Sequence, residues 1–249
     1  MPHGAAFSGP SHLLREAIFL KAFEKSGLVS FRAIGSRPRV AMALAYLSEI
    51  SEAVGDLSLA RSLITQSLDI ARNLGAKTKI ATYLNNLGNV AILQREYDEA
   101  RSLCEEALRI AIAANDKNNV ARSITGLGIL ASNQCQFELS LRLHRQSLVT
   151  FRDIGYRLGI ADSLGMIVIN MSEIGIVERA AYLFGAVEAI FEAIGNVAAP
   201  SERILSRCTT TIANAGGVLG QERLMKAKAA GRTMTIDGAI EYALTDFKT

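Results

Sequence analysis

The sequence predicts an all-α fold, a right-handed α-solenoid of about four helix-turn-helix repeats closed by a C-terminal helical cap. A 40-residue period relates four segments of the chain without a gap. Within each segment, apolar residues recur at the spacing of an α-helix. Hydrophobic residues form 49% of the chain but aromatic residues only 6%, with no Trp, and this composition favours helices over a β-sandwich.

The repeats span residues 40–79, 80–119, 120–159 and 160–199. Three of the matching columns are Ala41, Ala81, Ala121 and Ala161; Leu44, Leu84, Ile124 and Leu164; and Leu63, Leu103, Leu143 and Leu183. Repetition at such a period is the signature of a repeat protein, in which each unit buries its apolar face against its neighbours.

Each repeat divides into two helices at residues that break helices. The breaks within repeats fall at Gly55-Asp56, Arg95-Glu96, Gln134-Cys135-Gln136 and Gly175. The breaks after the second helices fall at Gly75, Asn115-Asp116, Gly155 and Gly195. The Gly and Asn residues of this second set suit the left-handed conformation that ends a helix.

Several residues of the repeats resemble the tetratricopeptide repeat. They are the small residues Gly88 and Gly128 in the first helix, the Ala column at 60, 100 and 180, and the residues that open the second helix, Leu57, Tyr97, Phe137 and Val177. The 40-residue unit, longer than the usual unit of about 34 residues, resembles the repeats of large bacterial signalling ATPases, including the maltose-regulon activator and LuxR-type regulators. Residues 179–186, 192–195, 200–203 and 231–244 are similar to the end of the repeat region in those regulators.

This resemblance implies a non-catalytic scaffold for protein-protein interactions. It further implies the sensor or regulatory region of a bacterial signalling ATPase or transcriptional regulator, from the C-terminal portion of such a protein. The alternative is a DNA-linked transcriptional regulator that acts with a separate or lost ATPase and DNA-binding domain.

The sequence divides into an N-terminal segment (1–39), the repeats (40–199) and a C-terminal helical cap (200–249). Residues 31–35 match residues 151–155 three periods later, so residues 17–34 are expected to form the second helix of a truncated repeat. Since this orphan helix has no preceding helix to cover its apolar side chains, we expect self-association through this end.

Composition and motifs argue against several function classes. The net charge of +3 is scattered over 27 basic and 24 acidic residues, which predicts no direct contact with nucleic acid. The three cysteines have neither disulfide nor metal-site spacing, and no signal peptide or apolar span is present, so we expect a cytoplasmic protein without membrane contact. His144 is expected to be a half-buried packing residue, and no Ser or Cys lies beside a candidate base. We therefore expect that the protein is not an enzyme and binds neither a cofactor nor a metal ion.

The first helices of the repeats are the predicted binding surface, because in tetratricopeptide arrays these helices line the concave groove. The predicted groove residues are Tyr46, Glu49, Asn85, Asn86, Asn89, Arg122, Asn133 and Asp162. Three asparagines within five residues lower the stability of a helix. They are either solvated positions or contacts to a protein or peptide partner, and the sequence leaves both interpretations open.

Overall fold

A computed structural model describes residues 36–195 and 199–245 of the chain. These residues form eleven α-helices and no strand, which confirms the predicted all-α solenoid of helix-turn-helix repeats. The helices are α1 (Arg37–Ala53), α2 (Leu57–Asn73), α3 (Lys77–Leu93), α4 (Tyr97–Ala113), α5 (Lys117–Asn133), α6 (Phe137–Asp153), α7 (Arg157–Glu173), α8 (Val177–Ile194), α9 (Ala199–Leu219), α10 (Gln221–Gly231) and α11 (Ile236–Leu244). The predicted orphan helix and the self-association assigned to it lie outside the described residues.

The connections between helices follow one pattern from α1 to α8. Each contains one residue with a positive φ: Gly55, Gly75, Arg95, Asn115, Cys135, Gly155 and Gly175. After α1, the N–H of Gly55 donates to the carbonyl of Glu52 and the N–H of Asp56 to the carbonyl of Ser51, at 3.2 and 2.9 Å, which satisfies carbonyls at the helix end. The residues that the sequence marked as helix breaks therefore end the helices.

Three of these left-handed positions carry a side chain, and two of them hold a residue type other than Asn, which tolerates this conformation. Arg95 has a φ of 63° and Cys135 a φ of 58°, in the column where Gly55 and Gly175 stand in other repeats. We expect Arg95→Gly and Cys135→Gly each to raise the free energy of unfolding by about 0.5–1 kcal/mol, because glycine relieves the left-handed strain at some cost in chain entropy. Urea unfolding would measure the change. Gly55→Ala is the reciprocal control and should lower stability.

The repeat columns form the core. Ala60, Ala100, Ser140 and Ala180 of one column are fully buried, and so are Ile64, Cys104, His144 and Phe184 of another. His144 is thus completely buried, whereas the sequence analysis expected it to be half-buried. Its column position explains the burial, since the equivalent residue of each other repeat also packs inside.

The chain divides into two compact units, with the boundary after Ala100. In the first unit, α1 packs against α2 and α2 against α3. In the second, successive helices from α5 to α8 pack in the same way, and three further helices follow. Helix α9 packs against α7 and α8, α10 packs against α8, and α11 lies against α6, α7 and α8.

Two arginines from second helices of the repeats hold α11 at its C-terminal end. Arg145 of α6 donates to the carbonyls of Ala243 and Thr245 at 2.9 and 2.8 Å. Arg179 of α8 donates to the carbonyl of Tyr242 at 3.3 Å and lies 4.4 Å from the centre of its ring. Because the last carbonyls of a helix carry partial negative charge, guanidinium groups stabilise this end of α11.

Candidate functional site

The predicted groove residues fall in both compact units, and each set has its own geometry. In the first unit, Tyr46 and Glu49 lie on α1 one turn apart. Glu49 is exposed, Tyr46 is 52% exposed, and Met42, one turn before Tyr46, is 54% exposed. Met42 and Tyr46 therefore form a short exposed apolar patch on α1.

Helix α3 contributes the three asparagines. Asn85 and Asn86 are only 4% and 8% exposed, and Asn89 is half-buried. The side-chain amide of Asn86 donates to Glu49 Oε1 at 3.3 Å, which joins α3 to the exposed face of α1. Asn85 and Asn86 are therefore not solvated positions, and of the three only Asn89 presents substantial surface.

In the second unit, Arg122 and Asn133 lie on α5 and Asp162 lies on α7. Arg122 and Asn133 are both half-buried and lie eleven residues apart, which places them on the same face about 16 Å apart along the axis. Asp162 occupies the column of Arg122 one repeat later, and the two residues are close enough for the guanidinium charge to act on the carboxyl group. The structure therefore brings Arg122 and Asp162 together.

Asp162 has the most unusual environment of the predicted residues. The residue as a whole is half-buried, but its Oδ1 atom is buried and has no hydrogen-bond partner. Burial raises the pKa of this carboxyl to about 7, while a hydrogen bond with Ser201 and the positive charge of Arg122 act in the opposite direction. Near neutral pH, Asp162 is therefore present in both the protonated and the ionised form.

Ser201 was missed by the sequence analysis, although the repeat period contains the signal. One more step of 40 residues leads from Ala161 to Ser201, from Leu164 to Ile204 and from Val168 to Cys208. All three residues of α9 are buried, and Cys208 Sγ donates to the carbonyl of Gly165 at 3.2 Å. Helix α9 thus continues the first-helix pattern.

Three glycines, Gly75, Gly126 and Gly128, have roles in helix ends and helix packing. Gly75 has a φ of 65° and ends α2, immediately before α3 begins at Lys77. Gly126 and Gly128 lie within α5, where an added Cβ would come within 2.8 Å of Cys104 Sγ and 2.7 Å of His144 Nε2. These two glycines permit close packing of α5 against the neighbouring helices.

Cys104, Cys208 and His144 are buried, and burial shifts their pKa values away from neutral pH. Burial raises the pKa of the Cys104 and Cys208 thiols to about 12 and lowers the pKa of His144 to about 3. The described residues contain no group of His, Cys, Asp and Glu side chains arranged to hold a metal ion. Among the described helices, none is long and apolar enough to span a membrane.

The comparisons with known proteins concern the repeat and the fold. Residues 79–153 match the family model of the tetratricopeptide repeat. The chain contains a tetratricopeptide-repeat region. A comparison with curated proteins gives no match.

Two solved structures are similar in fold to this chain. BtubC (BKLC) from P. vanneervenii is 17% identical, with a TM-score of 0.61 over 90% of this chain and 93% of that protein. Aspartyl phosphate phosphatase F from Bacillus subtilis is 13% identical, with a TM-score of 0.61 over 92% of this chain and 67% of that protein. At these identities the likeness shows the fold alone.

Proposed function

We propose that this protein is a non-catalytic scaffold that binds a partner protein through the exposed face of the first helices of its repeats. The observation that supports this most directly is the surface of α1, where Met42 and Tyr46 are 54% and 52% exposed one turn apart. Met and Tyr are enriched in protein interfaces, because Met adapts its shape and Tyr combines apolar area with a polar tip. Tetratricopeptide repeats generally bind protein partners, which fits this surface.

The chemistry beside these two residues defines the partner segment. Glu49 lies one turn beyond Tyr46 and is exposed, with the amide of Asn86 as a hydrogen-bond donor to Oε1. From Met42 to Glu49 the surface is about 10 Å long, which suits about two turns of a partner helix or a short extended peptide. The partner would place an apolar side chain on Met42 and Tyr46 and a hydrogen-bond donor or cation near Glu49.

The buried reactive groups support a role without catalysis. A thiol with a pKa of about 12 is not a thiolate at neutral pH, and an imidazole with a pKa of about 3 neither accepts a proton readily nor reaches solvent. Cys104, Cys208 and His144 are therefore poorly suited to nucleophilic or general-base catalysis.

Alanine substitutions test the surface formed by Met42, Tyr46 and Glu49 on α1. A partner would first be recovered with the immobilised protein, and its affinity measured by isothermal titration calorimetry. We expect Met42→Ala and Tyr46→Ala each to weaken binding at least about tenfold, as is typical of interface hot spots. Met225 on α10 is 66% exposed, and Met225→Ala should leave the affinity unchanged. Equal affinities for Met42→Ala, Tyr46→Ala and the wild type, with all three folded, would exclude this surface.

We place this scaffold in the cytoplasm, as the sensor or regulatory region of a bacterial signalling ATPase or transcriptional regulator. The sequence features of residues 179–186 and 231–244 support this assignment by resemblance. The alternative is a DNA-linked regulator that acts with a separate or lost ATPase and DNA-binding domain. A net charge of +3 over both signs predicts only weak, salt-sensitive DNA binding by the chain alone. A gel-shift titration with and without a recovered partner distinguishes the two, because only the alternative predicts specific retardation when the partner is present.

A further inference from the structure

Helices α7 and α9 meet in a tight seam. An added Cβ on Gly165 of α7 would lie 2.6 Å from the Cγ2 atom of Ile204, so only glycine fits there. Cys208 Sγ donates to the carbonyl of Gly165 at 3.2 Å, and both Ile204 and Cys208 are buried. The seam therefore excludes water along this stretch.

Asp162 lies in the same seam, one turn before Gly165 on the same face of α7. It faces Ser201 in the first turn of α9, and Ser201 is only 2% exposed. Since Oδ1 is buried without a hydrogen-bond partner, an ionised carboxylate in this position would carry an incompletely compensated charge. A carboxylic acid in the same position would carry none.

The groups around Asp162 do not remove this cost. Arg122 of α5 supplies a positive charge and Ser201 a hydrogen bond, yet the pKa of Asp162 stays near 7. The charges of Asp162, of Arg207 on α9 and of Glu188 on α8 all act on the pKa of Cys208 in α9. The pKa of Cys208 is about 12 and that of His144 on α6 is about 3, so neither group changes its charge close to neutral pH.

We infer that Asp162 is a proton-operated latch, which lets α9 close on α7 when protonated and loosens the first turn of α9 when ionised. Opening of the seam returns Asp162 to water, where its pKa falls to the ordinary value of about 4. Between about pH 4 and pH 7 the closed seam holds a proton that the open seam releases. The latch is thus tight in acid, loosens as the pH rises towards 7, and shows no further loosening above it.

Hydrogen exchange of the full chain tests the latch without a partner. After correction for intrinsic exchange, we expect the opening equilibrium constant of the amides that follow Ser201 at the start of α9 to rise about tenfold per pH unit from pH 5 to pH 7 and to level off above pH 7. In Asp162→Asn the rise should disappear, because the amide does not titrate. The exposed Asp153 of α6 offers a control with the same change of charge, and Asp153→Asn should keep the full rise.

Carboxyl carbon NMR of the wild type provides a second measurement that does not depend on a variant. The latch requires one aspartate to titrate near pH 7, and the same signal to be missing from Asp162→Asn. It would be overturned if Asp162 titrated below pH 5, or if it titrated near pH 7 while exchange of α9 showed no excess pH dependence. If Asp162→Asn failed to fold, the wild-type exchange profile of α9 against that of α10 would decide between these results.

Discussion

Gly231→Ala is expected to destabilise the second unit by about 3 kcal/mol or more, towards the upper end of the range for overpacked sites. An added Cβ at Gly231 of α10 would lie 1.7 Å from the carbonyl oxygen of Tyr182 on α8. At the same crossing, a Cβ at Gly185 would lie 2.0 Å from the carbonyl oxygen of Lys228. Because the obstructing atoms are backbone, rotation of a side chain does not relieve the clash, and α8 and α10 must move apart.

Separation of these helices also affects the ion pairs beside the crossing. Lys228 pairs with Glu188 at 2.7 Å and Arg232 with Glu192 at 2.6 Å. These pairs are partly exposed and contribute little individually, so the loss of packing dominates the expected change. Gly185→Ala should therefore resemble Gly231→Ala in urea unfolding and in faster hydrogen exchange of α10.

A glycine in open space provides the matched control. Gly217 lies within α9 and an added Cβ there meets no atom within 4 Å. Gly217→Ala should raise stability by up to about 1 kcal/mol, since Ala is the better helix former. If Gly231→Ala and Gly217→Ala both stabilised the protein, the close crossing of α8 and α10 would be wrong.

The repeat columns account for how much of the fold was predictable. A 40-residue period fixed which residues of each helix are equivalent, and Ala60, Ala100 and Ala180 are fully buried as a result. Most helix ends were predictable for a local reason, because the left-handed residue at five of the seven connections from α1 to α8 is visible as Gly or Asn. Arg95 and Cys135 were recognised only by their position between aligned repeats.

The candidate site was less predictable, because burial within a helix face depends on the neighbouring helices. Spacing placed Asn85, Asn86 and Asn89 on first-helix positions, but it did not indicate that the first two are buried and that Asn86 bonds to Glu49. Contacts between residues far apart in the sequence were also not predictable from the repeat pattern. The carbonyl contacts of Arg145 to residues of α11 join positions about a hundred residues apart, and no periodic pattern relates them.

The shifted pKa values of His144 and Asp162 lead to a prediction about acid stability. His144 is fully buried with a pKa of about 3, below its ordinary value of about 6.5, so its contribution to stability is present above pH 6.5 and lost as the pH falls towards 3. Asp162 has a pKa of about 7, above its ordinary value, so its contribution is present below about pH 4 and lost as the pH rises through 7. Between about pH 4 and 6.5 the two slopes oppose each other, each amounting to about 1.4 kcal/mol per pH unit.

Single and double variants separate these slopes. In Asp162→Asn, only His144 takes up a proton on unfolding. As the pH falls from 6.5 to 4.5, this variant should therefore lose about 1.4 kcal/mol of stability per pH unit relative to the double variant Asp162→Asn/His144→Leu. His144→Leu alone should gain stability over the same range. It should also be more stable than wild type at pH 7 by about 1–3 kcal/mol, since neither ring nitrogen of His144 has a hydrogen-bond partner. Urea unfolding of the four proteins at pH 4.5, 5.5, 6.5 and 7.5 measures all three expectations, and parallel pH profiles for the two single variants would contradict the opposing roles of His144 and Asp162.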